Sequence, residues 1–233
     1  MTAFARPVAA LAVCAAVAVA GTAHAQTPPS AVPGGTPSPA ASAAPVPSPS
    51  AAPEAARCEP RAAGLGGIGR VTVVSFTGPI FGGTVCAIVA SIVADAFAAR
   101  VSDAVPDDAL LVAGLTGDGD VSVPVGDVVL QGAGPYAVAP GGVIPGFGAD
   151  TSEAPRVVLA YSGSRILAIA TSPVTLADLA RTLRAQPSLF GADAFERAVV
   201  IASGHGATML ARTAAGPIGT APTAPRVLVL TKR

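Results

Sequence analysis

The residues able to do chemistry in this chain are few, and His205 is the most conspicuous of them. It stands in Ser203-Gly204-His205-Gly206, flanked by glycines that would not bar a ligand. An imidazole titrates near neutrality, so His205 can serve as a general acid or base. The competing reading makes it a structural hydrogen-bonding residue in a tight turn. Ser203 lies two positions earlier, and a Ser203–His205 nucleophile pair can be drawn on paper. No G-x-S-x-G elbow surrounds Ser203, and no third member is at hand. Asp178 is accounted for by helix capping and Asp193 falls in a loop. Arg156 offers a planar fork of donors suited to a phosphate; as an ordinary strand-start arginine it would need no ligand.

The thiols and carboxylates offer less. Cys14, Cys58 and Cys86 are the three cysteines. In an exported chain that has shed Cys14, the remaining pair is expected to form a disulfide closing a loop of about 28 residues, worth roughly 3–4 kcal/mol. Two unpaired buried thiols are the alternative. A metal site is not expected from so few, widely separated ligands, and no cofactor is expected. Asp118, Asp120 and Asp127 lack the twelve-residue pattern of a calcium loop and its terminal Glu. Gly64-Leu65-Gly66-Gly67-Ile68-Gly69 matches G-x-G-x-x-G in form, but a linker precedes it and a strand follows, which is the wrong context for a nucleotide loop.

Composition narrows the partners. Fourteen Lys and Arg balance fourteen Asp and Glu, and charged residues are 12% of the chain, about half the usual share. No basic face is available to neutralise phosphates, so nucleic acid is excluded as a partner. With seven Phe, two Tyr and no Trp, base-stacking platforms are also poorly supplied.

The elements that must position these residues begin after an export signal. Arg6, the apolar run Val8 to Ala20 and Ala23-His24-Ala25 before Gln26 read as a signal peptide over 1–25. The apolar run is too short to span a bilayer. A periplasmic or secreted protein is expected, with no transmembrane segment after cleavage. Residues 26–56 are rich in Pro, Ala and Ser and predict a disordered linker. Residues 57–233 are then one domain, long enough to bury a core.

Within it, Val71 to Phe76 predicts a strand. Thr84 followed by Val85, Ile88, Val89, Ile92, Val93, Ala96 and Phe97 predicts a helix to about Ala99, carrying Cys86 in its first turn. Ala109 to Leu115 predicts a strand, and Val121, Val123 and Val125 alternate beyond a Gly-Asp turn. Arg156 to Ala160 and Arg165 to Ala170 predict a hairpin. Thr175 and Asp178 form a capping box for a helix whose buried stripe is Leu176, Leu179, Ala180 and Leu183. Ala198 to Ala202 is a buried strand ending at Ser203, and 207–211 and 226–231 are closing strands. The sum is an α+β fold, a mixed β-sheet packed with helices in a single domain.

Over about residues 128–231 the order of these pieces resembles the phosphodiester glycosidase family, relatives of the enzyme that uncovers N-acetylglucosamine phosphodiesters on lysosomal glycans. The matching pieces are Gln131-Gly132-Ala133-Gly134-Pro135, Gly146-Phe147, and Pro155-Arg156-Val157-Val158. They continue through Ser164 to Ala170, Val174 to Ala180, and Ala202 to Leu210. The resemblance implies a glycan or sugar-phosphodiester ligand in the cell envelope. It implies a site built from Ser203, Gly204, His205 and Thr208 with Arg156, Gln131 and Gly134. Where the family presents Leu-Asp-Gly-Gly-x-Ser, this chain has Ala202-Ser203-Gly204-His205-Gly206-Ala207. The carboxylate position is therefore Ser203, and hydrolysis would fall to His205 or to Asp118 and Asp120. The same fold without that carboxylate would make a glycan-binding or envelope-scaffolding domain that does no catalysis.

Overall fold

The computed structural model describes residues 58–80, 82–117, 119–147 and 151–233. The expected signal peptide, the linker and Asp118 lie outside the described residues. The glycine motif opens the fold as a hairpin. Strands β1 (Arg61–Leu65) and β2 (Gly69–Thr77) pair antiparallel around Gly66 and Gly67. Those two glycines have φ of +56° and +83°, a region that side chains with a Cβ avoid. The motif's spacing therefore serves a turn.

The next segment corrects the sequence expectation. The predicted helix over 84–99 is strand β3 (Thr84–Val93), a 3-10 turn (Ala94–Ala96) and strand β4 (Phe97–Ser102). Val85, Ala87 and Val89 face one apolar layer, while Cys86, Ile88, Ala90 and Ile92 face another. A strand covered on both sides is apolar at nearly every position, so residues three and four apart are apolar by default. The β-branched content of the segment favours the strand.

Strands β5 (Leu111–Leu115), β6 (Val121–Val125), β7 (Val128–Ala133) and β8 (Tyr136–Val138) follow. The hairpin β9 (Ala154–Ser162) and β10 (Arg165–Val174) comes next, then helix α1 (Leu176–Ala185). The chain closes with β11 (Arg197–Ser203), β12 (Met209–Thr213), β13 (Gly216–Gly219) and β14 (Arg226–Lys232). A seven-stranded sheet runs β1-β2-β3-β10-β9-β11-β8, a five-stranded sheet runs β13-β12-β5-β14-β4, and β6 pairs with β7. All of these pairings are antiparallel.

Two apolar layers hold the elements together. Between the sheets, Val71, Ile92, Leu159 and Ile201 meet Phe97, Leu111, Met209 and Leu230. On the other face of the larger sheet, Val158, Leu167 and Ile169 pack against Leu176, Leu179 and Leu183 of α1. The result is an α+β domain of antiparallel sheets packed against a short helix. Burying a leucine completely, as at Leu179, contributes such that its truncation to Ala costs about 2–5 kcal/mol. No described helix is long and apolar enough to cross a membrane.

The helix start follows the sequence in half of the capping box. The Asp178 amide donates to Thr175 Oγ1 at 3.0 Å. The Asp178 carboxylate does not return to Thr175; its Oδ1 accepts from the Ile80 amide at 2.9 Å. The residue that was to close the cap instead ties the β2–β3 connection to α1.

Candidate functional site

Three neighbouring strands bring two of the candidate positions, Arg156 and Ser203, into one row. Arg156 on β9 stands opposite Thr171 on β10 and opposite Ser203 on β11. The Arg156 guanidinium donates from Nε to the Val174 carbonyl at 3.2 Å, from Nη1 to Ser203 Oγ at 3.2 Å, and from Nη2 to the Ser152 carbonyl at 3.3 Å. At 6% exposure the side chain is an internal brace. Its fork is engaged with the protein's own acceptors, the arrangement that favours the strand-start reading of this arginine over a phosphate clamp.

The turn after β11 is close to Arg156, as the strand order requires. Gly204 takes φ +70°, and residues Gly204–Gly206 form a 3-10 turn closed by the Ala207 amide on the Gly204 carbonyl at 2.9 Å. Strand β5 clamps it from the other sheet. The Gly114 amide donates to the Thr208 carbonyl at 3.0 Å, and a Cβ at Gly114 would lie 2.0 Å from the Gly206 carbonyl oxygen. His205 sits exposed at the tip of this turn and lines neither of the two hollows described here.

The Ser203–His205 pair that can be drawn on paper makes no hydrogen bond among the described residues. Ser203 Oγ receives a hydrogen bond from Arg156, a permanent cation that cannot accept the serine proton. Gly134 lies against β11, its amide donating to the Val200 carbonyl at 2.7 Å. Gln131 goes elsewhere. It accepts at Oε1 from Ser122 Oγ at 2.6 Å and lines a small hollow of about 100 Å³ with Thr116, Ile201 and Arg226.

The larger concavity opens where the two sheets separate. It has a volume of about 300 Å³, the lower end of ligand-site sizes. Arg61 of β1, Cys86 and Ile88 of β3, Ser172 of β10, Thr208, and Thr220 after β13 form its wall. Arg61 is exposed and its guanidinium makes no hydrogen bond or ion pair among the described residues. Ser172 Oγ accepts from the Cys86 amide at 2.9 Å, which leaves its own O–H to donate. Thr208 Oγ1 is buried from solvent with no hydrogen-bond partner among the described residues, so the expected ligand contact by this hydroxyl is not presented to the cleft. Among the described residues lining the cleft there is no carboxylate and no imidazole.

The cysteines are not joined to each other. Cys58 leads into β1 and Cys86 lies on β3, with β2 between them. Strands β1 and β3 are held two strand spacings apart, about 10 Å, and a disulfide bridges only about 7 Å between Cα atoms. The sequence expectation had Cys86 on a helix, where no such spacing applied. Among the described residues no three His, Cys, Asp or Glu side chains cluster as metal ligands.

Arg61 was not singled out from sequence. Its signal was faint, one arginine in Arg57-Cys58-Glu59-Pro60-Arg61 just beyond the Pro- and Ala-rich stretch. Gly219 and Thr220 lay between the closing strands expected over 207–211 and 226–231, where no site residue was named. No known protein-family model matches this chain, and no curated protein matches it either.

Proposed function

We propose that this chain is an exported, non-catalytic domain that binds a sugar-phosphodiester of envelope glycans in the cleft between its sheets. The observation that supports this reading is the cleft's chemistry. An unpaired cation, Arg61, stands at its mouth beside the Ser172 and Thr220 hydroxyls, and none of the described lining residues is a general acid or base of the carboxylate or imidazole kind. A guanidinium with free donors suits one phosphodiester anion. Cleavage of a glycosyl–phosphate bond needs a positioned proton donor or base, and His205 is exposed outside the cleft.

Calorimetric titration of the purified protein with the methyl diester of N-acetylglucosamine-1-phosphate tests this reading. Binding in the range of about 10–1,000 μM is expected, with no free sugar released on prolonged incubation. Arg61→Ala should weaken binding at least roughly tenfold, since a charged hydrogen bond is worth about 1.5–3 kcal/mol. Raising the salt should narrow that difference, because Arg61 is exposed. Sustained sugar release that disappears in His205→Ala would overturn the non-catalytic reading in favour of a phosphodiester glycosidase. Intact-mass analysis of envelope protein starting at Gln26 would support export; retention of residues 1–25 would count against it.

A further inference from the structure

Resting on the reading of this cleft as a ligand site, we infer that its ligand is an amphiphilic phosphodiester that enters with a short alkyl group first. The phosphate then remains at the mouth beside Arg61, and the sugar faces solvent.

The cleft presents few polar groups that are still open to a ligand. Thr171 is 6% exposed and its hydroxyl donates to the Arg156 carbonyl, so it is spent inside the wall. The Thr208 hydroxyl oxygen is sealed from solvent. What remains polar stands at the entrance: Arg61 and Thr220 are exposed and Ser172 partly so.

The interior has the opposite character. Along one face of β3, Cys86 and Ile88 line the cleft, and the next two residues on that face, Ala90 and Ile92, are fully buried. The cleft therefore descends from its mouth toward the apolar layer between the sheets, with Ile88 as its floor. Met209 and Ala170 complete that floor at 1% and 8% exposure. Gly219, itself exposed, packs close against the same wall, since a Cβ there would lie 3.1 Å from Ile88 Cδ1 and 2.1 Å from the Met209 carbonyl oxygen. A sugar placed inward would bring several hydroxyls against this surface, each losing water with no partner to replace it. An alkyl group placed inward loses nothing and gains burial. The chain has no Trp and two Tyr, and none of the cleft's described lining residues is aromatic, so a sugar ring would find no stacking face inside.

A chain-length series on the full protein tests the inference without relying on any variant. The methyl, butyl and octyl diesters of N-acetylglucosamine-1-phosphate are titrated below their micellar concentrations, alongside octyl phosphate. Affinity should rise roughly threefold to fourfold per methylene over the first few carbons and then level off as the floor is reached. Arg61→Ala should lower every member by a similar factor, and Ile88→Thr should flatten the rise while sparing the methyl diester. Equal affinity for all three diesters overturns this inference and leaves the sugar-phosphodiester reading intact. Octyl phosphate binding as tightly as the octyl diester upholds the apolar entry and removes the sugar from the recognition. Absence of binding by every compound overturns both.

Discussion

Replacing Arg156 by Met separates a brace from a ligand contact. The variant keeps the length and apolar stem of the side chain and removes the guanidinium. The Val174 and Ser152 carbonyls and Ser203 Oγ then lose a charged donor now held at 3.2–3.3 Å. Hydrogen bonds to charged groups contribute about 1.5–3 kcal/mol each. Against that, the variant recovers the desolvation cost of a buried ion, several kcal/mol, and at 6% exposure most of that cost applies. The balance is a loss of about 2–4 kcal/mol. In a domain of this size each kcal/mol moves Tm by about 2–4 °C, so a drop of roughly 5–15 °C is expected by circular dichroism. Ligand affinity measured below the transition should change less than about threefold, because Arg156 does not line the cleft. A melting point within about 2 °C of the parent, together with a tenfold loss of affinity, would refute the brace and return Arg156 to the ligand.

Three further outcomes follow from the geometry. Thr208→Val replaces a sealed, unpartnered hydroxyl by a methyl group and should leave stability unchanged or raise it by about 1 kcal/mol in a denaturant melt; a clear loss would reveal a partner for that oxygen. Gly114→Ala should cost about 1–3 kcal/mol by the same measurement, because its Cβ would collide with the Gly206 carbonyl oxygen 2.0 Å away, and a parent-like melt would contradict the clamp on the turn. The Tyr161 phenol is pushed up to about 12 by burial, with the nearby Arg197 guanidinium opposing the shift. The folded protein therefore keeps a proton that the unfolded chain releases from about pH 10. Its contribution to stability is complete below pH 10 and is lost as pH rises from there through about 12. Tyr161→Phe should remove that part of the alkaline fall, and parallel pH curves for the two proteins would contradict the shift.

The parts of the fold legible in the sequence are those whose cause is local. The β9–β10 hairpin reads from two β-branched runs around Gly163, and the start of α1 reads from Thr175 ahead of a stripe of leucines. Strand β11 reads from a short, wholly apolar run. What failed was the segment 84–99, and the reason is physical. Strand β3 is covered on one face by the layer containing Val158 and Leu179 and on the other by the layer containing Met209 and Phe97. Two-sided burial erases the alternation that marks a strand, and Thr84 then looks like a helix cap. Strand β1 was hidden for a different reason. Its exposed residues Arg61, Ala62 and Gly64 carry no β signal, and its place depends on pairing with β2 through two glycines at positive φ.

The site divides along the same line. Arg156 and Ser203 were paired correctly in space because both end strands of the larger sheet, and adjacent strands bring their ends to a common edge. The role of Arg156 stayed open between clamp and strand-start residue, since a sequence shows a donor fork without showing which acceptors already fill it. His205 drew attention because glycines flank it, yet backbone and packing account for both: Gly204 takes a positive φ, and a Cβ at Gly206 would press within 3.3 Å of Ala224 Cβ and Thr116 Cγ2. With Gly204 explained by its backbone angle and Gly206 by its close neighbours, the flanking glycines do not by themselves call for a ligand at the imidazole. The cleft was illegible because its wall is drawn from both sheets and spans Arg61 to Thr220. Only the packing of one sheet on the other brings an exposed arginine of the first strand to the mouth of a cavity floored by Ile88 and Met209.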